Sequence, residues 1–482
     1  MIAALAVCIW FFAIFWLFAN RTPASAVASS IIGGYLLLPE SFRIDLPGAP
    51  TLNKSSITAL TTFLAATLLL KGTRIRGLPD GTILPGWMPR SRAAQILLIG
   101  LVIGIAGMVV TNGDPLRYGS LLLPGLRLYD MVAMIGNVLI SLLPFLLARK
   151  YLAHPDAQIK LLVVLAVAGL LYSLPALYEI RMSPQLSRMI YGYFPHDWAQ
   201  HLRAGGFRPV VFLHHGLWLS IFFCSAFLAA MALWRSSSGQ IRWRWMLASG
   251  WLFMTLVLSK SLGALGIGIL LGAVILFLPV RLQVLTAAAL AAVVLTYPLL
   301  RGAGMIPVDT LTEFARGIEA ERANSLGARL HNEDSLLTKA NERPLFGWGT
   351  WGRNRVYDSD GNNLSITDGY WIISIGGKGW AGYLSEMGLL TVPLILLGLR
   401  WRSLALAPAA AGVALALTAN LIDLIPNATL TPVTWLLAGS LAGRLELGRL
   451  PEARQVPDGD ILPARRNGYS RQTRRHQAHV VN

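Results

Sequence analysis

Apolar runs close to 20 residues long recur from one end of this chain to the other, and few folds are open to a sequence built that way. As a helix, a run of about 20 apolar residues crosses a hydrocarbon core of about 30 Å. No water is present at that depth to satisfy backbone groups, so the chain must pair them internally, in helices. The runs fall at 2–19, 24–39, 55–70, 94–112, 128–148, 160–179, 210–234, 245–258, 263–280, 283–300, 380–399, 404–425 and 432–447. The expected fold is therefore all-α, a polytopic membrane protein of 11–14 transmembrane helices. The runs at 24–39 and 245–258 are short enough to read as re-entrant or tilted. Composition agrees, with 54% of residues apolar and 13% charged, where soluble domains carry about 25% charge.

The net charge of +17 invites a nucleic-acid partner, but the basic residues form no folded basic domain with interleaved aromatics. They gather in short segments at one set of span ends, which is how a membrane protein records its orientation. Segment 71–92 has five bases against one acid, and Arg149, Lys150, Lys160, Arg235, Arg242, Arg244, Arg281, Arg400 and Arg402 continue the same face. That face is expected to be cytoplasmic, leaving 40–54, 113–126, 181–208 and 301–379 outside. The first run lacks the basic start of a signal peptide and has Arg21 just after it, so it reads as a retained helix with its N-terminus outside. The resulting division is 1–300 as ten spans, 301–379 as a large outer loop with short helices, 380–447 as three more spans, and 448–482 as a basic tail without apolar periodicity. Anionic lipid is a natural contact for that tail, and a merely solvated segment is the alternative. Cys8 and Cys224 both lie in apolar runs and imply neither disulfide nor thiolate metal site.

Chemistry concentrates in four outward segments. The first runs through Arg203, Gly205, Gly206 and Arg208 to His214 and His215, which enter the next apolar run. Adjacent histidines on a helix point about 100° apart and are poorly placed to share a metal. Arginines beside glycines at a membrane face suit a phosphate head group, and snorkelling to the interface is the alternative. The second is Ser259-Lys260-Ser261, where Lys260 is a helix-end anchor or another phosphate contact. The third, 323–352, predicts a helix carrying Arg322, Arg329 and Lys339 that ends at Arg343-Pro344. Arg322 and Arg329 are two turns apart, nearly on one face. Trp348 and Trp351 follow, either stacking on sugar rings or buried structurally, and Glu333-Asp334 reads as a solvated acidic pair. The fourth opens with Asp368 and continues through Gly379, Gly382 and Glu386. A carboxylate at the edge of a low-dielectric region is a stronger base than one in water; capping a helix is its other reading.

In their order, common face and loop position, these segments resemble the O-antigen ligase and polymerase superfamily of bacterial envelopes, over roughly residues 160–440. The resemblance rests on the Arg-Gly-Gly-Phe segment before a span, the serine-containing break, Arg329 followed fourteen residues later by Arg343-Pro344-Leu-Phe-Gly-Trp-Gly, and Asp368-Gly369, nine residues, then Gly379-Trp-Ala-Gly382. It implies a metal-independent glycosyltransferase without cofactor, in the bacterial inner membrane with a periplasmic active face. The donor would be an undecaprenyl-diphosphate-linked glycan and the acceptor a second glycan. A chain-length regulator and a flippase would be protein partners. Carried over, Asp368 and Arg329 are the catalytic positions. Arg203, Arg208, His214, His215, Lys260, Arg322 and Trp348 would bind substrate. The ligase branch has histidine where this chain has Asp368, and that departure favours the polymerase branch. Ligation of finished glycan to a lipid or protein acceptor is the alternative, and glycolipid transport is the non-enzymatic one.

Overall fold

The computed structural model describes residues 2–70, 82–195, 197–203, 205–305, 313 and 320–449. In chain order the helices are α1 (Ile2–Asn20), α2 (Pro23–Leu37), α3 (Lys54–Leu69), α4 (Arg92–Thr111), α5 (Leu128–Ser141), α6 (Leu143–Tyr151), α7 (Pro155–Met182), α8 (Leu186–Tyr191) and α9 (Gly216–Ser236). Then follow α10 (Gly239–Leu258), α11 (Leu262–Phe277), α12 (Val280–Gly302), α13 (Ala320–Asn341), α14 (Tyr370–Leu399), α15 (Trp401–Leu404), α16 (Pro408–Asp423) and α17 (Pro432–Leu447). Among the described residues, seven spans are long and apolar enough to cross a membrane: α1, α4, α5 with α6, α7, α9, α12 and α14. The shorter apolar helices α2, α3, α11 and α16 complete most of the bundle. The chain is a predominantly α-helical, multi-pass membrane protein. Its expected tail, 448–482, lies outside the described residues from Leu450 onward.

Several span boundaries differ from the sequence reading, two of them by about a third of a helix. The run at 245–258 is part of a 20-residue helix, α10, that reaches back over Arg242 and Arg244, both exposed on its first turns. The span expected at 380–399 begins ten residues earlier, at Tyr370, and those ten residues are the first third of the 30-residue α14.

Helix α9 forms the centre, with 89% of its span inside the protein, packed by α7, α10, α11 and α16. Small residues let the backbones close in, since lipid tails give no hydrophobic drive for helix pairing. A Cβ on Gly412 of α16 would meet Ala232 of α9 and Leu162 of α7. Asn420 then bridges three helices, donating to Ser225 Oγ at 2.8 Å and accepting from Thr434 at 3.1 Å. Such interhelical bonds contribute on average about 0.6 kcal/mol each.

The two ends of the bundle are tied differently. At one end Arg149, fully buried, pairs with Glu446 and donates to Gly86 O at 3.0 Å, gathering the basic segments. The short strands β1 (Arg43–Ile44) and β2 (Leu52–Asn53) pair between α2 and α3, and at the other end of the bundle from Arg149 the hairpin β3–β4 (Leu116–Tyr118, Leu121–Leu123) meets the loop after α13. Arg353, also fully buried, holds them together by donating to Trp348 O at 3.1 Å and to Asp114 O and Pro124 O at 2.9 Å each. These are the two sets of segments that the Lys/Arg bias separates.

Candidate active site

The site is built on a break in α14. Gly379 has φ 61° and ψ −173°, a conformation essentially confined to glycine, inside an otherwise continuous helix. Breaking a helix inside a membrane protein frees backbone groups that must find partners. They find them in residues 344–349. Trp380 N–H donates to Pro344 O at 2.8 Å and Ala381 N–H to Leu345 O at 3.0 Å. In return Trp348 N–H reaches Gly376 O at 2.9 Å and Gly349 N–H reaches Gly377 O at 2.8 Å. So close an approach of two backbones excludes side chains, and a Cβ on Gly347 would meet Gly377 and Gly379. The Pro-Leu-Phe-Gly-Trp-Gly segment and the Gly379 region, separate motifs in the sequence, are two halves of one interlock.

Trp348, expected to face substrate, is instead buried at 6% exposure. Its indole N–H donates to Lys339 O at 2.7 Å, and Lys339 and Arg343 cover the ring at 3.8 and 4.3 Å from its centroid. Trp351 is the exposed member of the two.

Helix α13 lies against α14 and carries Arg329, while Asp368 stands just before the first turn of α14. Arg301, in the last turn of α12, holds it through Asp334 at 2.7 Å, Glu333 at 3.7 Å and Leu330 O at 3.2 Å. With the helix so fixed, Arg329 Nε sits 3.2 Å from Asp368 Oδ2, and both side chains remain partly open to solvent, at 44% and 34%. Asp368 does not cap α14, because the N-cap residue is Gly369. Glu333, read from sequence as solvated, is 8% exposed. Burial pushes its carboxyl from 4.5 up to about 7, against the pull of the Trp371 indole and Arg301, with Asp334 and Asp368 adding to the rise. An arginine with free face, a carboxylate beside it and a second carboxyl titrating near neutrality form a compact acid–base and anion-binding group.

The remaining candidates assemble elsewhere at the loop end of the bundle. Hairpin β5–β6 (Leu202–Arg203, Gly206–Phe207) brings Gly206 against the Lys260 side chain. Arg208, 9% exposed, donates to Lys260 O at 3.1 Å. Lys260 itself has φ 55°, turning the chain between α10 and α11. His214 and His215 do not enter the apolar helix, which starts only at Gly216. His215 Nδ1 accepts the Leu217 N–H at 3.1 Å as the cap of α9, and its ring lies 5.0 Å from that of His201; His214 stacks 4.8 Å from Trp218. Glu179, which no sequence motif marks, anchors this region by accepting the Val210, Val211 and Leu186 N–H groups at 2.8, 2.7 and 2.9 Å. The structure thus joins Arg208 to Lys260 and Arg329 to Asp368, and no hydrogen bond or ion pair between described residues links the two sets. Arg203 lies on β5 and Arg322 on α13, but both side chains are outside the described set.

No family model matches the chain, and no curated protein matches it in sequence.

Proposed function

We propose that the chain is a polysaccharide polymerase, joining undecaprenyl-diphosphate-linked repeat units at the periplasmic face of a bacterial inner membrane. The observation that carries the reading is the Arg329–Asp368 pair, 3.2 Å apart and half open, held at the end of the bundle by a helix docked on Arg301. A resemblance in motif order to the O-antigen ligase and polymerase superfamily supports it, as does aspartate where the ligase branch has histidine.

In the proposed reaction Asp368 takes the proton of an acceptor sugar hydroxyl. That oxygen attacks the anomeric carbon of the donor, and the bond from carbon to diphosphate oxygen breaks with inversion. Arg329 turns its free guanidinium face to the departing diphosphate, whose growing charge it stabilises. Arg208 and Lys260 supply a second cationic station for the lipid-linked head group. A lipid diphosphate is a good leaving group, so positioning and charge stabilisation carry the step.

The test uses a strain whose own copy is replaced by Asp368→Asn or Arg329→Lys, with membrane insertion checked by immunoblot. Single repeat units in place of the polymer ladder support the reading. An unchanged ladder in both strains removes the pair from the mechanism, and long lipid-linked polymer accumulating in a deletion strain would make the protein a ligase.

A further inference from the structure

A second polar environment lies inside the bundle, beyond the first turn of α14. Here a cavity of about 360 Å³ is bounded by α3, α4, α5, α6, α14 and α17, with Thr51 and Asn53 ahead of α3. Its volume is within the range of small-molecule sites, about 300–1,000 Å³. Lys378 and Glu386 of α14 line it and pair with each other at 2.7 Å, with Tyr370 Oη 3.4 Å from the same ammonium. An ion pair among membrane helices is expensive to desolvate, and where one persists it usually faces a working cavity.

The rest of the lining is half used. Asn137 Oδ1 accepts the Thr51 N–H at 2.9 Å, and Asn53 Oδ1 accepts the Ser55 and Ser56 N–H groups at 2.9 and 3.0 Å. Neither amide nitrogen donates to a described residue, so both remain as donors at the cavity wall. Leu101, Leu430 and Trp435 add apolar surface to the same lining. The two charges in the lining cancel, which gives no net attraction to a phosphate or a metal cation. A lipid tail has no use for amides and an ion pair. Paired donors and acceptors with apolar walls match a neutral sugar, whose ring has apolar faces and a rim of hydroxyls.

The position fits as well. Tyr370 lines the cavity and follows Asp368 by two residues. Helix α5 covers it, burying of its own residues only Asp130 and turning Leu128, Val132 and Leu139 outward. We propose that this cavity is a glycan subsite, in which a neutral sugar of the acceptor chain, one or two units from the reacting hydroxyl, bonds to the Lys378–Glu386 pair and Asn137. The assignment of that sugar to an acceptor rests on the polymerase reading; the sugar-binding character of the cavity does not.

The experiment uses the full chain in lipid nanodiscs, free of sugar-based detergent. The probe is the lipid-free repeat unit released by mild acid from the host's own lipid-linked intermediate, with inorganic pyrophosphate as the comparison. Titration calorimetry should give saturable binding of the repeat unit to the wild-type protein and to Asp368→Asn. The double variant Lys378→Met/Glu386→Gln should bind at least about tenfold more weakly, as loss of a charge-assisted bond implies, and Asn137→Leu several-fold more weakly, as loss of a neutral one implies. A milder variant guards against misfolding. In a Cys8→Ser background, the thiol introduced by Ser141→Cys should react with N-ethylmaleimide, and the repeat unit should slow that reaction several-fold. No binding to wild type, equal binding by the cavity variants, or equal protection by pyrophosphate overturns the subsite. If Asp368→Asn stops chain growth while the repeat unit fails to protect the thiol, the subsite falls and the reaction stands. If the repeat unit protects the thiol while Asp368→Asn leaves the polymer ladder unchanged, the subsite stands and the reaction falls.

Discussion

Replacing Gly379 with alanine puts the interlock between α14 and residues 344–349 to a direct test. At φ 61° and ψ −173°, a residue with a Cβ is strained by about 1–3 kcal/mol. The added methyl would also meet the Leu345 carbonyl and come 2.6 Å from Gly347 N. Leu345 O is the acceptor for Ala381 N–H, so moving it away breaks that bond and loosens the three beside it. Each lost bond costs about 1 kcal/mol net, which brings the destabilisation to at least about 2 kcal/mol. Purified protein followed by intrinsic fluorescence is a suitable readout, given 15 tryptophans. Gly250→Ala is the control, because its Cβ would meet nothing within 4 Å in the middle of α10; there alanine should be neutral or gain up to about 1 kcal/mol of helix propensity. Gly379→Ala should unfold several degrees below wild type and release the 344–349 segment to proteolysis. Unfolding within about one degree of wild type would refute the claim that the break and the loop depend on each other.

Docking of α13 should depend on pH through Glu333, whose proton is held up to about 7 when docked but lost near 4.5 when released. Docking is then strongest below about 4.5, weakens as pH rises to about 7 and levels off above, a total change of at most about 3 kcal/mol. Hydrogen exchange of the α13 amides at pH 5 and pH 8 reads this, and Glu333→Gln should flatten the difference; an equally steep wild-type and variant profile would exclude Glu333. Trp348→Phe keeps the covered ring but loses the N–H bond to Lys339 O, so it should lower stability by about 1 kcal/mol and leave polymer length unchanged. A shortened polymer with unchanged stability would instead give Trp348 a direct role with substrate.

Much of this architecture is written in the sequence at long range. The apolar runs locate the helices, and the Lys/Arg bias separates the two ends that Arg149 and Arg353 tie. The meeting of Arg329 with Asp368 follows from motif order and a shared face. What stays hidden depends on partners distant in the chain. The start of α14 is obscured because Ser374, Gly376, Gly377 and Lys378 dilute its hydropathy, and only the docked 344–349 segment makes a broken helix tenable there. Glu333 looks solvated beside Asn332 and Asp334, yet it shares a helical stripe with Leu330, Leu337 and Ala340. That i, i+3, i+7 spacing is the signal for burial, and Arg301 is the reason a carboxyl can occupy it. Trp348 cannot be sorted from Trp351 by sequence, since burial is decided by two cations closing over one ring. The cavity beneath α5 leaves no local motif at all, being drawn from six helices and a turn.

The proposed chemistry stands or falls with Arg329 and Asp368 facing a lipid-diphosphate donor and a sugar acceptor. It is met most directly by the purified full-length protein in nanodiscs, given undecaprenyl-diphosphate-linked repeat units and followed by mass spectrometry of the lipid-linked products. Dimers and longer oligomers are expected from the wild-type protein, with loss of product in Asp368→Asn and strong slowing in Arg329→Lys while both variants keep the wild-type unfolding temperature. Oligomers formed at the wild-type rate by folded Asp368→Asn protein, or none formed by any variant including wild type, would rule it out.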